Sequence, residues 1–155
     1  MTFPILIHIG YPKTGSSTLQ QNVLMKHSGV NYLAGTKFAE RLGQGSSDAQ
    51  RAHDFYHALI HDSTRDMAAL RATWTEVFAP KMDKKRLNVI SDERFVMNYR
   101  APEAIAADLS ELIGDARILM VVRDQADMLR SQYDMSPFYE RDPARKYLPF
   151  GRWLD

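Results

Sequence analysis

The sequence predicts a three-layer α/β domain, with helices on both faces of a central parallel sheet. Short apolar runs at residues 4–9, 87–90 and 117–122 predict strands, and the segments between them place apolar residues at helical spacing. Strands that alternate with helices along a chain are typical of parallel sheets. With 155 residues, of which 45% are hydrophobic and 25% charged, the chain is predicted to form one such domain over residues 1–155.

The first predicted unit is a strand, a loop and a helix. The run over residues 4–9 is rich in isoleucine and ends at Gly10, as expected of a strand that is buried on both faces. A loop over residues 11–16 leads to a predicted helix over residues 17–27, which the Ser-Gly pair that follows ends. Residues 34–47 contain glycines and serines and predict a long irregular connection.

The rest of the chain repeats the alternation. Apolar stripes predict helices over residues 52–59 and 67–78 before the second strand. A proline-initiated helix over residues 102–113 precedes the third strand, and a helix over residues 125–133 follows it. Residues 135–155 are rich in proline and aromatic residues and predict a loop-rich segment that covers the domain or faces a substrate.

The composition narrows the function. Lys and Arg total 20 against 19 Asp and Glu, so no excess positive charge predicts a nucleic-acid partner. The absence of cysteine excludes disulfides, thiolate zinc sites and thiol nucleophiles. No apolar run approaches the roughly 18 residues of a membrane span, and the amino terminus lacks the features of a signal peptide. These features predict a cytoplasmic protein.

Residues 10–18, which read GYPKTGSST, predict an anion-binding loop. They follow a strand and open a helix, where backbone N–H groups and the positive end of the helix dipole converge. Ser16 and Ser17 add hydroxyl donors. The loop is not a Walker A motif, because Lys13 precedes the second glycine by two residues and Ser16 stands where that motif has its lysine.

A second pair of candidate residues follows the third predicted strand. Arg123 comes directly after the strand, and Ser131 lies eight residues further on, two turns along the next predicted helix. An arginine and a hydroxyl at this spacing can hold one phosphate from two sides. The alternatives are an ion pair of Arg123 with Asp124 or Asp127, and a solvated Ser131.

Together the two motifs resemble those of sulfotransferases that use 3'-phosphoadenosine 5'-phosphosulfate. Residues 11–20, YPKTGSSTLQ, resemble the 5'-phosphosulfate loop of that family, and the arginine and serine of VVRDQADMLRSQY resemble its 3'-phosphate motif. The resemblance implies a P-loop NTPase-like fold. It implies the phosphosulfate as co-substrate, no metal ion, and donor-binding residues Lys13, Thr14, Gly15, Ser16, Ser17, Thr18, Arg123 and Ser131.

The resemblance also implies a mechanism. Lys13 is assigned to the bridging oxygen that departs as the sulfuryl group is transferred. A hydroxyl or amine acceptor, whether carbohydrate, lipid or small molecule, needs a base to take its proton. Glu93, in the string SDERF after the second strand, is the candidate by position, because the family has a catalytic histidine or a nearby acidic or basic group there, and Asp92 is the alternative. A carboxylate at Glu93 that is merely solvated or paired with Arg94 or Lys37 is the competing interpretation.

Three alternatives stay open. One is a nucleotide kinase, which needs a carboxylate at a strand end to hold Mg²⁺, whereas the strand over residues 117–122 is followed by Arg123. Another is a nucleotide-binding chain without activity, because family members usually continue past the 3'-phosphate motif. The third concerns His53, His57 and His61, which recur every four residues and suggest a metal site, although a solvated helix face is favoured. His8 is predicted to be a satisfied core histidine.

Overall fold

The structure is a computed structural model that describes residues 4–11, 14–97 and 100–139, without the side chains of residues 36, 132 and 135–139. The described residues form four strands: β1 (Ile5–Gly10), β2 (Val30–Tyr32), β3 (Leu87–Ser91) and β4 (Arg117–Val121). They also form six α-helices: α1 (Ser16–Leu19), α2 (Gly35–Leu42), α3 (Ser47–His61), α4 (Met67–Thr73), α5 (Pro102–Ile113) and α6 (Gln125–Tyr139).

The strands form one all-parallel sheet in the order β2-β3-β1-β4, flanked by helices, which confirms the predicted α/β class. β1 lies between β3, where His8 pairs with Ser91, and β4, where Gly10 pairs with Val121. The crossover from β1 to β2 and the crossover from β3 to β4 run in opposite directions across the sheet. The carboxyl ends of β1 and β3 therefore form a topological switch point, the usual position of a ligand crevice in such sheets.

β1 and β4 differ in burial although both are apolar. Ile5 and Ile7 of β1 are buried, as the prediction of a core strand requires. β4 borders only β1 among the described strands, and its Ile118 and Met120 are 59% and 45% exposed. Apolar sequence alone did not separate a central strand from a border strand, because burial depends on what packs beside each strand.

The helix after the first loop is shorter and less regular than predicted. A single α-helical turn, α1, continues as a π-helical turn over Gln20–Leu24, in which the amide of Met25 donates to the carbonyl of Gln20 (2.9 Å). π-turns of this kind often occur beside functional sites. Here the turn carries Gln20, whose side chain reaches the end of β3.

The prediction of an irregular connection over residues 34–47 is wrong. Its glycines lie at the ends of helix α2, and the residues between them favour a helix. Phe38 of α2 is 1% exposed, and its ring centroid lies 5.0 Å from that of Phe78. Strand β2 was also not predicted. Three residues give too short a pattern, and the strand exists because it pairs with β3.

The remaining predicted helices are present with altered ends. The helix predicted over residues 67–78 is α4 followed by a π-helical turn over Trp74–Phe78. Aromatic residues of this turn pack on α3, with ring centroids of Phe55 and Phe78 4.8 Å apart. α6 extends to Tyr139, so the first part of the segment predicted to be loop-rich is helical. Residues 140–155 of that segment lie outside the described residues.

A buried ion cluster connects α3, α5 and the turn before α4. Asp108 of α5 accepts hydrogen bonds from Arg65 Nε (2.8 Å) and from Arg100 Nη2 (2.7 Å). Arg100 also donates to the carbonyl of Leu59 in α3 (2.8 Å). Burial by itself would raise the pKa of the Asp108 carboxyl, but the hydrogen bonds from Arg65 and Arg100 outweigh burial and lower the pKa below 3.8.

Within the described part of the chain, the helices are too short or too polar to cross a bilayer.

Candidate functional site

The loop after β1 folds back over the end of its own strand. The Thr14 hydroxyl donates to the carbonyl of Tyr11 (2.7 Å) and lies 3.2 Å from the hydroxyl of Ser16. A methyl group on Gly10 would lie 3.0 Å from Ser16 Oγ, 3.1 Å from Thr14 Oγ1 and 3.3 Å from the carbonyl of Val121. A side chain at position 10 would therefore require the two hydroxyls and the Val121 carbonyl to move by a few tenths of an ångström.

The loop ends in an open helix terminus. Gly15 adopts φ 89°, a left-handed conformation that favours glycine. The helix begins at Ser16, so the N–H groups of Ser16, Ser17 and Thr18 precede the first intrahelical hydrogen bond, from Leu19 to Gly15 (3.0 Å). Ser17 and Thr18 are exposed, whereas Ser16 is 3% exposed.

The predicted Lys13 lies outside the described residues, as does Pro12. The described residues of this loop, Thr14 to Thr18, are consecutive in the sequence. They offer hydroxyl and amide hydrogen-bond donors at the carboxyl edge of the sheet. This is the arrangement that binds an anion through backbone and hydroxyl groups.

Ser91, at the end of β3, connects the loop to the neighbouring strand. Its hydroxyl accepts from Gln20 Nε2 (2.9 Å) and lies 2.7 Å from His8 Nδ1. The sequence predicted no role for Gln20 or Ser91, although they stand in the strings YPKTGSSTLQ and SDERF. The signal was not local, because Ser91 lies 83 residues from His8 and 71 from Gln20.

His8 is a buried histidine that is satisfied at only one ring nitrogen. Its side chain is in the core, Nδ1 contacts Ser91, and Nε2 has no hydrogen-bond partner in the described part of the chain. Burial lowers the pKa of His8, so the ring is neutral at pH 7. The prediction of a satisfied core histidine is therefore correct for its burial and for one nitrogen.

Two carboxylates follow β3, and they make different contacts. Asp92 accepts from the amide of Arg94 (2.9 Å) and holds the Arg94 guanidinium at 2.9 and 2.7 Å, so its charge is already neutralised. Among the described residues, the Glu93 carboxylate makes no hydrogen bond or ion pair. Lys37, the other suggested partner of Glu93, pairs with Glu40 at 3.8 Å.

Glu93 lies in the wall of a cavity of about 510 Å³ between α2, α3 and the end of β3. The polar part of this wall comes from two histidines of α3 and from residues near the end of β3, namely His53, His57, Gln20, Ser91, Asp92, Glu93 and Arg94. Gln20 belongs to the helical segment that follows the loop, so the cavity borders that segment. The carboxyl edge of the sheet thus combines a glycine- and hydroxyl-rich loop, a carboxylate without a partner among the described residues, and a cavity.

The carboxylates after β3 also affect the comparison with kinases. The sequence argument against a kinase was that the strand over residues 117–122 is followed by Arg123 and not by a carboxylate. β3 is the other neighbour of β1, and Asp92 and Glu93 follow it directly. That reason against a kinase therefore does not hold, and the two functions must be separated by other properties.

Arg123 follows β4 at the same edge of the sheet, and Ser131 lies on α6. Val121 pairs with Gly10, so Arg123 lies two positions beyond the strand pair. Arg123 therefore follows β4 at the edge of the sheet where β1 ends. The side chain is 43% exposed and lies 3.7 Å from Asp127, the ion pair named as the alternative for this arginine. Ser131 is half-buried.

The three histidines of α3 form a row at its surface. The ring centroids of His53 and His57 are 6.4 Å apart, and those of His57 and His61 are 4.9 Å apart. Over residues 4–11, 14–97 and 100–139, no group of three or more His, Asp or Glu side chains is arranged to hold a metal ion. His53 and His57 instead line the cavity.

Comparison of the sequence with protein-family models and with curated proteins found no significant match. The likeness of the two motifs to sulfotransferases therefore stays a prediction from the residues themselves.

Proposed function

We propose that the chain is a sulfotransferase that moves a sulfuryl group from 3'-phosphoadenosine 5'-phosphosulfate to a hydroxyl or amine acceptor. One observation carries the proposal. Glu93 is a carboxylate without a partner among the described residues, and it faces a cavity beside the loop that resembles the family's phosphosulfate loop. The competing interpretation of Glu93, a pair with Arg94 or Lys37, is not what these side chains do.

The geometry of the loop supports a bound anion. The Thr14 and Ser16 hydroxyls lie together beside Gly10, and the unpaired amides of the first turn of α1 follow them in the chain. The resemblance implies that the 5'-phosphosulfate binds at this loop. Lys13 is expected to neutralise the charge that develops on the bridging oxygen.

The proposed transfer is a single displacement at the sulfur atom. The acceptor oxygen or nitrogen forms a bond to sulfur as its proton passes to the Glu93 carboxylate. The bond between sulfur and the bridging oxygen breaks, and its electron pair leaves with adenosine 3',5'-bisphosphate. Asp92 is the weaker candidate for the base, because both of its carboxylate oxygens already accept hydrogen bonds from Arg94.

The 3'-phosphate site is the second part of the proposal. Arg123 and Ser131 come from the end of β4 and from α6, and the Arg123 guanidinium lies 3.7 Å from the Asp127 carboxylate. An exposed pair of this length contributes little, so a phosphate can replace Asp127 as its partner. A charge-assisted contact contributes roughly 1.5 to 3 kcal/mol to binding.

A nucleotide kinase is the second candidate, and the position of Asp92 and Glu93 after β3 favours it. A kinase would use one of these carboxylates for Mg²⁺ bound to a nucleoside triphosphate. The ion pair of Asp92 with Arg94 leaves only Glu93 free for this role. The two functions predict opposite nucleotide preferences.

Calorimetry with adenosine 3',5'-bisphosphate, adenosine 5'-phosphate and MgATP tests the proposal. The bisphosphate is expected to bind without a divalent cation and more tightly than MgATP. Arg123→Ala should weaken its binding by about tenfold to a hundredfold and leave adenosine 5'-phosphate little changed. Arg130→Ala, which changes an exposed arginine of α6, is the matched control. Tight MgATP binding with indifference to the bisphosphate would favour the kinase.

Turnover is tested with radiolabelled donor. Glu93→Gln should abolish transfer while bisphosphate binding is retained, since the amide cannot take the proton. Glu103→Gln, on the exposed first turn of α5, should transfer at the wild-type rate. An active Glu93→Gln enzyme would remove Glu93 from the mechanism. Bisphosphate binding without transfer to any acceptor would indicate the inactive nucleotide-binding alternative.

A further inference from the structure

The cavity beside Glu93 has a largely apolar wall opposite its polar edge. Its volume of about 510 Å³ is in the range of pockets that enclose a small molecule. The apolar side comes from the π-turn after α1 and from helices α2 and α3. The residues that form it are Met25, Phe38, Ala39, Ala49, Ala52 and Tyr56.

Most polar groups around this space already have partners. The Tyr56 hydroxyl donates to the carbonyl of Leu33 (2.8 Å). The Tyr56 ring, with its hydroxyl already paired, therefore forms part of the apolar wall of the cavity. The Gln20 side-chain amide donates to Ser91 (2.9 Å), and Arg94 pairs with Asp92. Burial raises the pKa of the Tyr56 phenol well above its ordinary range, so it stays neutral.

The few remaining polar groups limit the ligand. A sugar buries many hydroxyls, and each one that lacks a partner costs free energy. Here Glu93 is the carboxylate without a described partner, and its negative charge opposes an anionic ligand. The aromatic rings of Phe38 and Tyr56 instead match an apolar, flat body.

We propose that the acceptor is a compact aromatic alcohol or amine, neutral or cationic, whose ring binds between α2 and α3 and whose hydroxyl or amine faces Glu93. This inference rests on the proposed sulfotransferase function. It narrows an acceptor that the motifs left open among carbohydrates, lipids and small molecules. The small side chains of Ala39, Ala49 and Ala52 set the room available for the ring.

The test uses 2-naphthol as the aromatic probe and N-desulfated heparin as the carbohydrate probe. Binding is followed through naphthol fluorescence and calorimetry, and transfer through radiolabelled donor. Wild-type protein should bind 2-naphthol and sulfate it, with no transfer to heparin. Ala39→Leu, which fills the half-buried wall of α2, should weaken naphthol binding at least tenfold and leave bisphosphate binding unchanged.

Ala72→Leu, an exposed position of α4 outside the cavity, is the matched control and should bind naphthol normally. Thermal melting identifies a variant that fails to fold. In that case, competition between 2-naphthol and N-desulfated heparin for the wild-type protein decides which ligand class binds. Heparin binding without naphthol binding, or unchanged binding in a folded Ala39→Leu, would overturn the inference. Failure of bisphosphate binding with naphthol still bound would instead reject the proposed function and leave the ligand class standing.

Discussion

Replacement of Asp108 by asparagine should destabilise the domain more than any change to a surface ion pair. The carboxylate side chain is 7% exposed, and those of Arg100 and Arg65 are 6% and 20% exposed. Asparagine keeps the shape of the side chain but removes the charge and one acceptor. The Arg100 guanidinium then stays buried without a counter-charge, which is the costly half of breaking a buried pair.

The size of the effect follows from these contacts. Breaking a buried pair costs roughly 3 to 5 kcal/mol, and the partial exposure of Arg65 allows it to regain water, so we expect about 3 kcal/mol. For a chain of this length that corresponds to a fall in melting temperature of roughly 6 to 12 °C. Urea unfolding followed by the fluorescence of the buried Trp74 measures the free energy directly.

The matched control lies on the same helix. Glu111 pairs with Arg71 at 2.6 Å, but their side chains are 54% and 53% exposed. Glu111→Gln should therefore cost less than about 1 kcal/mol. If Asp108→Asn cost no more than Glu111→Gln, the argument that the buried cluster holds α5 against α3 would be refuted.

Three other results are expected. The folded-state pKa of Asp108 is lowered below 3.8, so the stability that this carboxylate contributes is present above pH 3.8 and is lost as the pH falls below that value. In acid titrations followed by circular dichroism, the stability of the wild-type protein should therefore drop more steeply below pH 3.8 than that of Asp108→Asn. Gly10→Ala, which meets the Val121 carbonyl at 3.3 Å, should cost roughly 1 to 3 kcal/mol and weaken bisphosphate binding, whereas Gly29→Ala, which meets only the exposed His27 ring, should bind normally in calorimetry. Ser91→Ala should cost about 1 to 3 kcal/mol in urea unfolding, since it removes a partner of His8 and Gln20, and a cost like that of the exposed Ser110→Ala would contradict the network.

The local features of the fold were predictable, and the long-range features were not. Strand β1 and helix α5 follow from apolar spacing and from Gly10 and Pro102, which act on their immediate neighbours. β2 has three residues and forms only through its pairing with β3. α2 was not predicted, because glycines at both ends of a segment are typical of an irregular loop, whereas the burial of Phe38 against the distant Phe78 stabilises the helix.

The candidate site divides in the same way. The sequence by itself determined the chemical groups: a glycine, serine and threonine loop after a strand, an acidic pair after a second strand, and an arginine after a third. Hydroxyls, amides and charges belong to residue types, so a single chain segment is enough to specify them.

Only the tertiary structure decided which of these groups are paired and which of them face a cavity. It neutralises Asp92 with Arg94, leaves Glu93 facing a cavity, and joins His8, Gln20 and Ser91 across as many as 83 residues of sequence. Pairing and burial depend on which segments the sheet brings side by side. That information lies in strand order and packing, because no local pattern records which distant side chain will occupy the neighbouring space.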